Sequence, residues 1–164
     1  MATDGAGLER LVASTGPGLV RYAARLLGSV ADAEDAVQES YVKAYDALVA
    51  GRFDGRSSLK TWLYRIVTRT AIDHRRSRQS REKLAGVAVE GALDGSGAAD
   101  AHVALRELED LLAELPDEQR STLVLQALEG LTNREIGEVL GCSEGAVEQR
   151  LVRARTALKA KVSP

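Results

Sequence analysis

The sequence predicts an all-α fold made of two small helical domains, joined by a flexible acidic linker, with a helix-turn-helix in the second domain. Hydrophobic residues make up 45% of the 164 residues but aromatic residues only 4%, so the core must be built mainly from Ala, Leu and Val. The chain has only three prolines, and β-branched residues do not cluster as strands require. Apolar residues recur instead at the spacing of amphipathic helices.

Length and composition limit the possible functions. The chain is long enough for two small domains, and we expect them at residues 1–83 and 102–164, with residues 84–101 between them. A single cysteine, Cys142, excludes an internal disulfide and a cysteine zinc cluster. His74 and His102 have no partners at metal or catalytic spacing, so we expect no cofactor, no metal and no enzymatic activity. No apolar run resembles a signal peptide or a membrane span, which predicts a cytoplasmic protein without membrane insertion.

Positive charge is concentrated in one segment, Phe53–Lys83. It holds nine Lys and Arg residues and three acids, a net charge of +6 in a chain whose total is −2. Helical spacing of apolar residues within it predicts an amphipathic helix with Leu59, Trp62, Leu63, Ile66 and Thr70 facing inward. Ser57 or Ser58 would cap this helix, because a serine oxygen can accept the free N–H groups of the first turn.

The other side of this basic helix is expected to face outward. It would carry Lys60, Tyr64, Arg65, Thr68, Arg69, Ile72, Arg75 and Arg76. A glycine-containing loop precedes it, and aromatic rings alternate with its cations. Rings that stack on bases, beside cations that neutralise phosphates, suit single-stranded nucleic acid. The simpler alternative is a solvated charged face, and a pI near 5.8 implies that any nucleic-acid contact is local.

Two helices are predicted before the basic segment. The first is expected to be interrupted at residues 16–18, Gly-Pro-Gly, where a proline can open a second helix. The next begins with Asp32 as its cap and runs to Tyr45. One face of it is acidic with a single apolar member, and it consists of Asp35, Gln38, Glu39 and Val42. Such a face is usually only solvated, but it is also suited to docking a basic helical partner.

A negatively charged bridge follows the basic helix. Residues 84–118 contain nine acids and one base, and residues 84–101 are rich in Gly, Ala, Ser and Asp without a steady period. This composition predicts a flexible linker, and we expect the two halves to move independently in the free protein.

The last third carries a helix-turn-helix pattern. Thr132 and Glu135 form a capping box, Gly141 and Cys142 make the turn, and Ser143 caps the second helix. The spacing of Ile136, Leu140, Val147 and Leu151 would lock the two helices together. The second helix of such a motif lies in the major groove of DNA. Cys142, in this tight turn, is expected to act as a small buried hydrophobe.

Three segments in this order resemble the extracytoplasmic-function (ECF) sigma factors of the sigma-70 family. They are DAEDAVQESYVKAY, FDGRSSLKTWLYRIVTRTAIDHRR, and LPDEQRSTLVLQALEGLTNREIGEVLGCSEGAVEQRLVRARTAL. The resemblance runs from about Leu8 to Lys161. It implies two helical domains that bind the RNA polymerase core, through its β′ clamp helices and β flap, and read the two promoter elements. An anti-sigma factor is a further partner that the resemblance implies.

The resemblance also implies roles for particular residues. The acidic face of Asp35, Gln38, Glu39 and Val42 would dock on the polymerase. The −10 element would be contacted by Phe53, Gly55, Arg56, Ser57, Ser58, Lys60, Trp62, Tyr64, Arg65, Arg69, Arg75 and Arg76. The −35 element would be read by Ser143, Glu144, Glu148, Gln149, Arg150 and Arg153. Two positions depart from the family pattern, Arg69 in the basic helix and Glu148 in the recognition helix.

Two other functions remain open at this point. The chain is also compatible with a stand-alone helix-turn-helix regulator, although that function leaves the first half unexplained. A sigma-like decoy that binds an anti-sigma protein instead of DNA is a third possibility. Glu148 slightly favours the decoy, whereas the intact basic segment argues against it.

Overall fold

The computed structural model describes residues 5–86 and 99–163, and these residues form seven α-helices and no strand. The helices are α1 (Gly5–Leu27), α2 (Val30–Val49), α3 (Leu59–Ala85), α4 (Ala99–Ala113), α5 (Asp117–Ala127), α6 (Asn133–Leu140) and α7 (Glu144–Val162). The all-α prediction is confirmed. The helices α3 and α4 extend slightly into the predicted linker, whose remaining residues, 87–98, lie outside the described part of the chain.

The first half, α1–α3, is a three-helix unit built around small and aliphatic side chains. Leu19, Tyr22, Ala33, Leu63 and Val67 are buried in it. The predicted interruption of α1 is wrong, because the helix continues through Pro17. Its inward stripe packs on both α2 and α3, and this packing outweighs the loss of one backbone hydrogen bond at the proline.

Both cap assignments in this half are now settled. The cap of α2 is Ser29, whose side chain accepts a hydrogen bond from the backbone N–H of Asp32, so the prediction of Asp32 as the cap is wrong. Serine satisfies the free N–H here, and Asp32 instead places its charge in the first turn, where the helix dipole favours it. At α3, Ser58 rather than Ser57 is the cap.

The second half, α4–α7, is organised around α5 and the helix-turn-helix of α6 and α7. Val124, Leu125, Ile136, Val147 and Leu151 form its interior. The predicted capping box is present, since Thr132 and Glu135 each bond the other's backbone N–H. Gly141 ends α6 in the left-handed region, with φ of 68°, and Ser143 caps α7 as predicted.

The two halves pack directly against each other, mainly through α3 with α6 and α1 with α5. The sequence analysis did not predict this contact. Side chains of Arg25, Tyr64, Arg65 and Arg75 on the first half bond to groups on the second. The reason lies in pairings between residues far apart in the chain, which helix periodicity cannot predict.

Candidate nucleic-acid interface

The loop before α3 presents an aromatic pair beside exposed cations. The rings of Phe53 and Trp62 lie 5.0 Å apart, centroid to centroid, with an interplanar angle of 54°. Gly55 adopts φ of 73°, which a side chain would strain, and Asp54 accepts the backbone N–H of Arg56 at 3.0 Å. This local turn places the aromatic pair at the start of the basic helix. The guanidinium of Arg56 is exposed and pairs only loosely with Asp54, at 3.4 Å.

Only part of the predicted outward face of α3 is exposed in the structure. Lys60, Arg69 and Arg76 are exposed, as expected. Tyr64 and Thr68 are buried, so their predicted outward orientation is wrong. The hydroxyl of Thr68 donates to the Tyr64 carbonyl at 2.7 Å and lies 2.6 Å from the hydroxyl of Tyr22, which fixes both side chains inside the first half.

Tyr64 makes one of the side-chain bonds between α3 and the second half. Its hydroxyl donates to Glu129 Oε2 at 2.8 Å, and its ring lies 5.3 Å from that of Tyr22. Burial raises the pKa of Tyr64 well above its ordinary value, and the adjacent Glu129 carboxylate raises it further. A protonated, bonded and buried Tyr64 is not available to a DNA base in this arrangement.

Three arginines of the same face are also bound by the second half. Arg65 donates to the backbone carbonyl of Glu138 at 2.8 Å. Arg75 and Arg76 approach the Asp117 carboxylate at 3.0 and 3.6 Å, respectively. Arg69, by contrast, is exposed and has no side-chain hydrogen bond or ion pair within residues 5–86 and 99–163. It is the cation of this face that most clearly remains open to a ligand.

The predicted docking face on α2 is exposed at all four positions, Asp35, Gln38, Glu39 and Val42. Glu39 is held by Lys43 at 2.8 Å and by His74 at 2.5 Å. Its hydrogen bonds with Lys43 and then His74 keep the pKa of Glu39 below its usual value. The carboxylate of Glu39 therefore bridges Lys43 on its own helix and His74 on α3.

Two residues of this surface were missed by the sequence analysis. Val42, Tyr45 and Val49 are 62%, 52% and 72% exposed and follow one another along α2. Their spacing of three and four residues was visible in the sequence and places them on one side of the helix. The acidic face therefore continues into an exposed apolar stripe of these three side chains.

The recognition helix α7 is positioned by the turn that precedes it. Glu144, Glu148, Gln149 and Arg153 are exposed on it, as a reader of base edges requires. Arg150, also predicted to contact DNA, is partly buried and has partners within the chain. Its guanidinium lies 3.2 Å from Glu118 and 3.3 Å from Cys142 Sγ, so it ties α7 to the start of α5 and to the turn. Cys142 itself is half-buried, in line with the expected packing role.

The described residues hold no group of three or more His, Cys, Asp or Glu that could bind a metal ion. Among the same residues, no helix is long and apolar enough to cross a membrane. What the structure presents is an aromatic and cationic helix in one half and a helix-turn-helix in the other.

Comparison with known proteins identifies this combination of a basic helix in one half and a helix-turn-helix in the other. Residues 11–81 match sigma-70 region 2, and residues 105–158 match sigma-70 region 4. The chain belongs to the sigma-70 family of RNA polymerase sigma factors.

Its relatives place it within the ECF group of that family. It is 35% identical to the ECF sigma factor SigC of Mycobacterium tuberculosis over 98% of this chain and 86% of that protein. It is 37% identical to SigW of Bacillus subtilis over 82% of this chain and 78% of that protein. The resemblance inferred from the sequence is confirmed.

Solved structures show the same arrangement of helices. CnrH in complex with the cytosolic domain of CnrY superposes with a TM-score of 0.74 at 28% identity, covering 97% of this chain and 89% of that one. The sigma factor RpoE of Bartonella quintana, in complex with the anti-sigma factor NepR, gives 0.76 at 26% identity, covering 95% and 98%. Such coverage includes both halves, so their relative placement resembles that in these two complexes.

Proposed function

We propose that this sigma factor binds the polymerase core through α2, contacts the −10 element with α3 and its preceding loop, and reads the −35 element with α7. The docking surface comprises Asp35, Gln38, Glu39 and Val42, extended by the exposed apolar stripe. Residues 1–83 form the domain for docking and −10 contact, and residues 102–164 the domain for −35 recognition. The factor acts in the cytoplasm and has no catalytic activity of its own.

The observation that carries this proposal is the Phe53–Trp62 pair beside the exposed Arg56, Lys60 and Arg69. Aromatic rings can stack on unpaired bases whatever their sequence, and cations beside them can neutralise the phosphates. A protein that binds only duplex DNA has no need of such a surface in addition to its recognition helix. This favours an initiation factor over a stand-alone regulator.

Within α7, some exposed side chains are suited to contacting bases and others to contacting phosphates. Glu148 and Gln149 are exposed without described side-chain partners, and their chemistry suits base edges, Glu for the cytosine amine and Gln for adenine. Arg153 is suited to holding the phosphate backbone, which positions the helix without specifying sequence.

An anti-sigma factor is a further proposed partner. Of the solved structures, RpoE of Bartonella quintana is bound to an anti-sigma factor, and its two halves are placed much as in this chain. The exposed apolar stripe on α2 offers such a protein an apolar surface to cover.

Run-off transcription tests the proposed function. Purified core polymerase is incubated with genomic promoter fragments, with and without this protein, and transcripts are mapped. Defined transcripts that require the protein support an initiation factor. Binding of the protein to a palindromic site without polymerase, and no dependent transcript, would identify a stand-alone regulator instead.

A further inference from the structure

Val152 lies on the outward side of the recognition helix α7, among the residues proposed to read the −35 element. It follows Glu148 by four positions and Gln149 by three, which is the spacing of side chains on one side of a helix. Its side chain is 62% exposed, whereas the apolar side chains of Val147 and Leu151 on the same helix are buried. Val152 is therefore part of the exposed surface of α7.

The stability of the helix does not account for a valine at this position. Valine is a weaker helix former than alanine, because its branched side chain loses rotamer freedom against the preceding turn. An exposed valine also removes little apolar surface from water, so packing does not offset that cost. The fold alone therefore gives no advantage to Val152 over an alanine.

Val152 is the apolar member of this exposed surface. From the start of α7 to Thr156, the other exposed side chains are all polar or charged. They are Glu144, Glu148, Gln149, Arg153, Arg155 and Thr156. Carboxylates, amides and guanidinium groups can match the hydrogen-bonding groups of base edges and phosphates. The two methyl groups of Val152 form no hydrogen bonds, so they can be matched only by an apolar group.

The major groove of DNA offers one such group, the 5-methyl group of thymine. Contact between methyl groups is favourable because it removes apolar surface from water. A valine in a helix adopts mainly one rotamer, so its methyl groups are fixed before DNA binds. A side chain that is already ordered loses little conformational freedom in the complex. Val152 is therefore suited to distinguishing thymine from the other bases.

The distance along α7 indicates which base pair Val152 would contact. Four residues advance about 6 Å along a helix axis, and successive base pairs are about 3.4 Å apart. Glu148 and Val152 belong to one uninterrupted helix, so their offset is fixed. The base that Val152 contacts would lie about two base pairs from the base that faces Glu148.

From these observations we propose that Val152 is a specificity-determining residue for the −35 element. Its methyl groups contact the 5-methyl group of a thymine about two base pairs from the base that faces Glu148. The inference rests on the proposed role of α7 in −35 recognition. It adds an apolar contact to the hydrogen bonds expected from Glu148 and Gln149.

The test removes each side of this contact separately, in the holoenzyme formed by the full-length factor and core polymerase. The −35 sequences that the holoenzyme binds are first selected from a randomised duplex promoter. Each thymine of the selected element, on either strand, is then replaced by deoxyuridine, which lacks only the 5-methyl group.

Val152→Ala removes the protein side of the contact. Val162→Ala is the matched control, because it makes the same change at a 69% exposed valine at the end of the same helix. Both substitutions shorten an exposed side chain and introduce a better helix former, so both variants are expected to fold.

We expect the wild type and Val162→Ala to lose about three- to fivefold in affinity when one particular thymine becomes deoxyuridine, as one methyl contact is lost. Val152→Ala should bind the thymine duplex about three- to fivefold more weakly than the control and should bind both duplexes equally. Equal affinity of the wild type for thymine and deoxyuridine at every position would overturn the inference. So would a Val152→Ala protein that distinguishes the two duplexes as well as the control does.

Failure of the proposed −35 role gives a different result. If α7 lies in the groove, Arg153→Ala should weaken binding to all −35 sequences alike, because a phosphate contact carries no sequence information. If Arg153→Ala and Glu148→Arg both leave the affinity and the selected sequence unchanged, α7 does not read this element. If these two variants act as expected while Val152→Ala still distinguishes thymine from deoxyuridine, only the thymine contact is wrong.

Discussion

Gly137 lies so close to Cys142 that a Cβ atom at position 137 would meet the Cys142 carbonyl oxygen at 2.7 Å. The Gly137 carbonyl accepts the backbone N–H of Cys142 at 3.0 Å. This hydrogen bond and the close backbone packing at Gly137 both hold α6 against the turn. The close approach of backbone to backbone is what brings α7 to its position beside α6.

Gly137→Ala is therefore expected to destabilise the second half by about 1–3 kcal/mol, because backbone cannot move aside as a flexible side chain can. The midpoint of urea unfolding of the full chain measures the effect. Gly145→Ala is the control, because its Cβ would meet no atom closer than 4.0 Å and alanine favours a helix. Equal midpoints for both variants would contradict a tight contact at Gly137.

Arg120 is expected to be the most sensitive charged residue of the second half. It is 1% exposed, and it donates to the Leu112, Ala113 and Leu115 carbonyls at 2.5–2.8 Å. Arg120→Met keeps much of the volume but leaves these carbonyls without their donor, a loss of about 3 kcal/mol. Thermal unfolding checks this against Arg134→Met, whose arginine is largely exposed. A shift no larger than that of the control would show that water replaces the guanidinium.

Arg69→Ala is expected to reduce promoter opening and the salt dependence of DNA binding. One lost phosphate contact lowers the slope of log K against log salt by about 0.7 on single-stranded DNA. Permanganate reactivity of thymines in the polymerase–promoter complex measures opening, with Arg21→Ala as a control on an exposed arginine outside α3. Wild-type reactivity would mean that Arg69 is not in contact with the opened strand.

Gln38→Ala combined with Val42→Ala is expected to weaken binding to core polymerase at least tenfold, since truncating anchors in an interface commonly costs about 2 kcal/mol. Both side chains are exposed and neither supports the fold. Glu39 is left intact because it pairs with Lys43 and His74. Val103→Ala, on an exposed valine of α4, serves as the control in a pull-down against the core. Retention equal to that control would remove α2 as the docking surface.

Glu148 is expected to select a cytosine in the −35 element, because a carboxylate accepts a hydrogen bond from cytosine N4. Selection of bound −35 sequences by the wild type and by Glu148→Arg measures this preference. Glu107→Arg makes the same charge change away from α7 and should raise affinity without altering the preferred bases. If Glu148→Arg selects the same bases as the wild type, Glu148 reads no base.

The local elements of this fold could be predicted because their signals lie within a few residues. Thr132 and Glu135 are three positions apart, and the caps at Ser58 and Ser143 precede clear helical patterns. Tyr64 was misplaced because its partner, Glu129, is 65 positions away. The contacts of Arg150 could not be predicted for the same reason, since only the folded chain brings Glu118 and Cys142 to its guanidinium.

The exposed stripe of Val42, Tyr45 and Val49 has a consequence for the amount of this protein that a cell can carry. Apolar side chains in water favour association with whatever apolar surface is available. In molecules made in excess over their binding partners, this stripe would stay exposed to solvent. Those molecules would associate non-specifically with one another or with unrelated proteins. Synthesis of the factor is therefore best matched to the supply of the surfaces that cover α2.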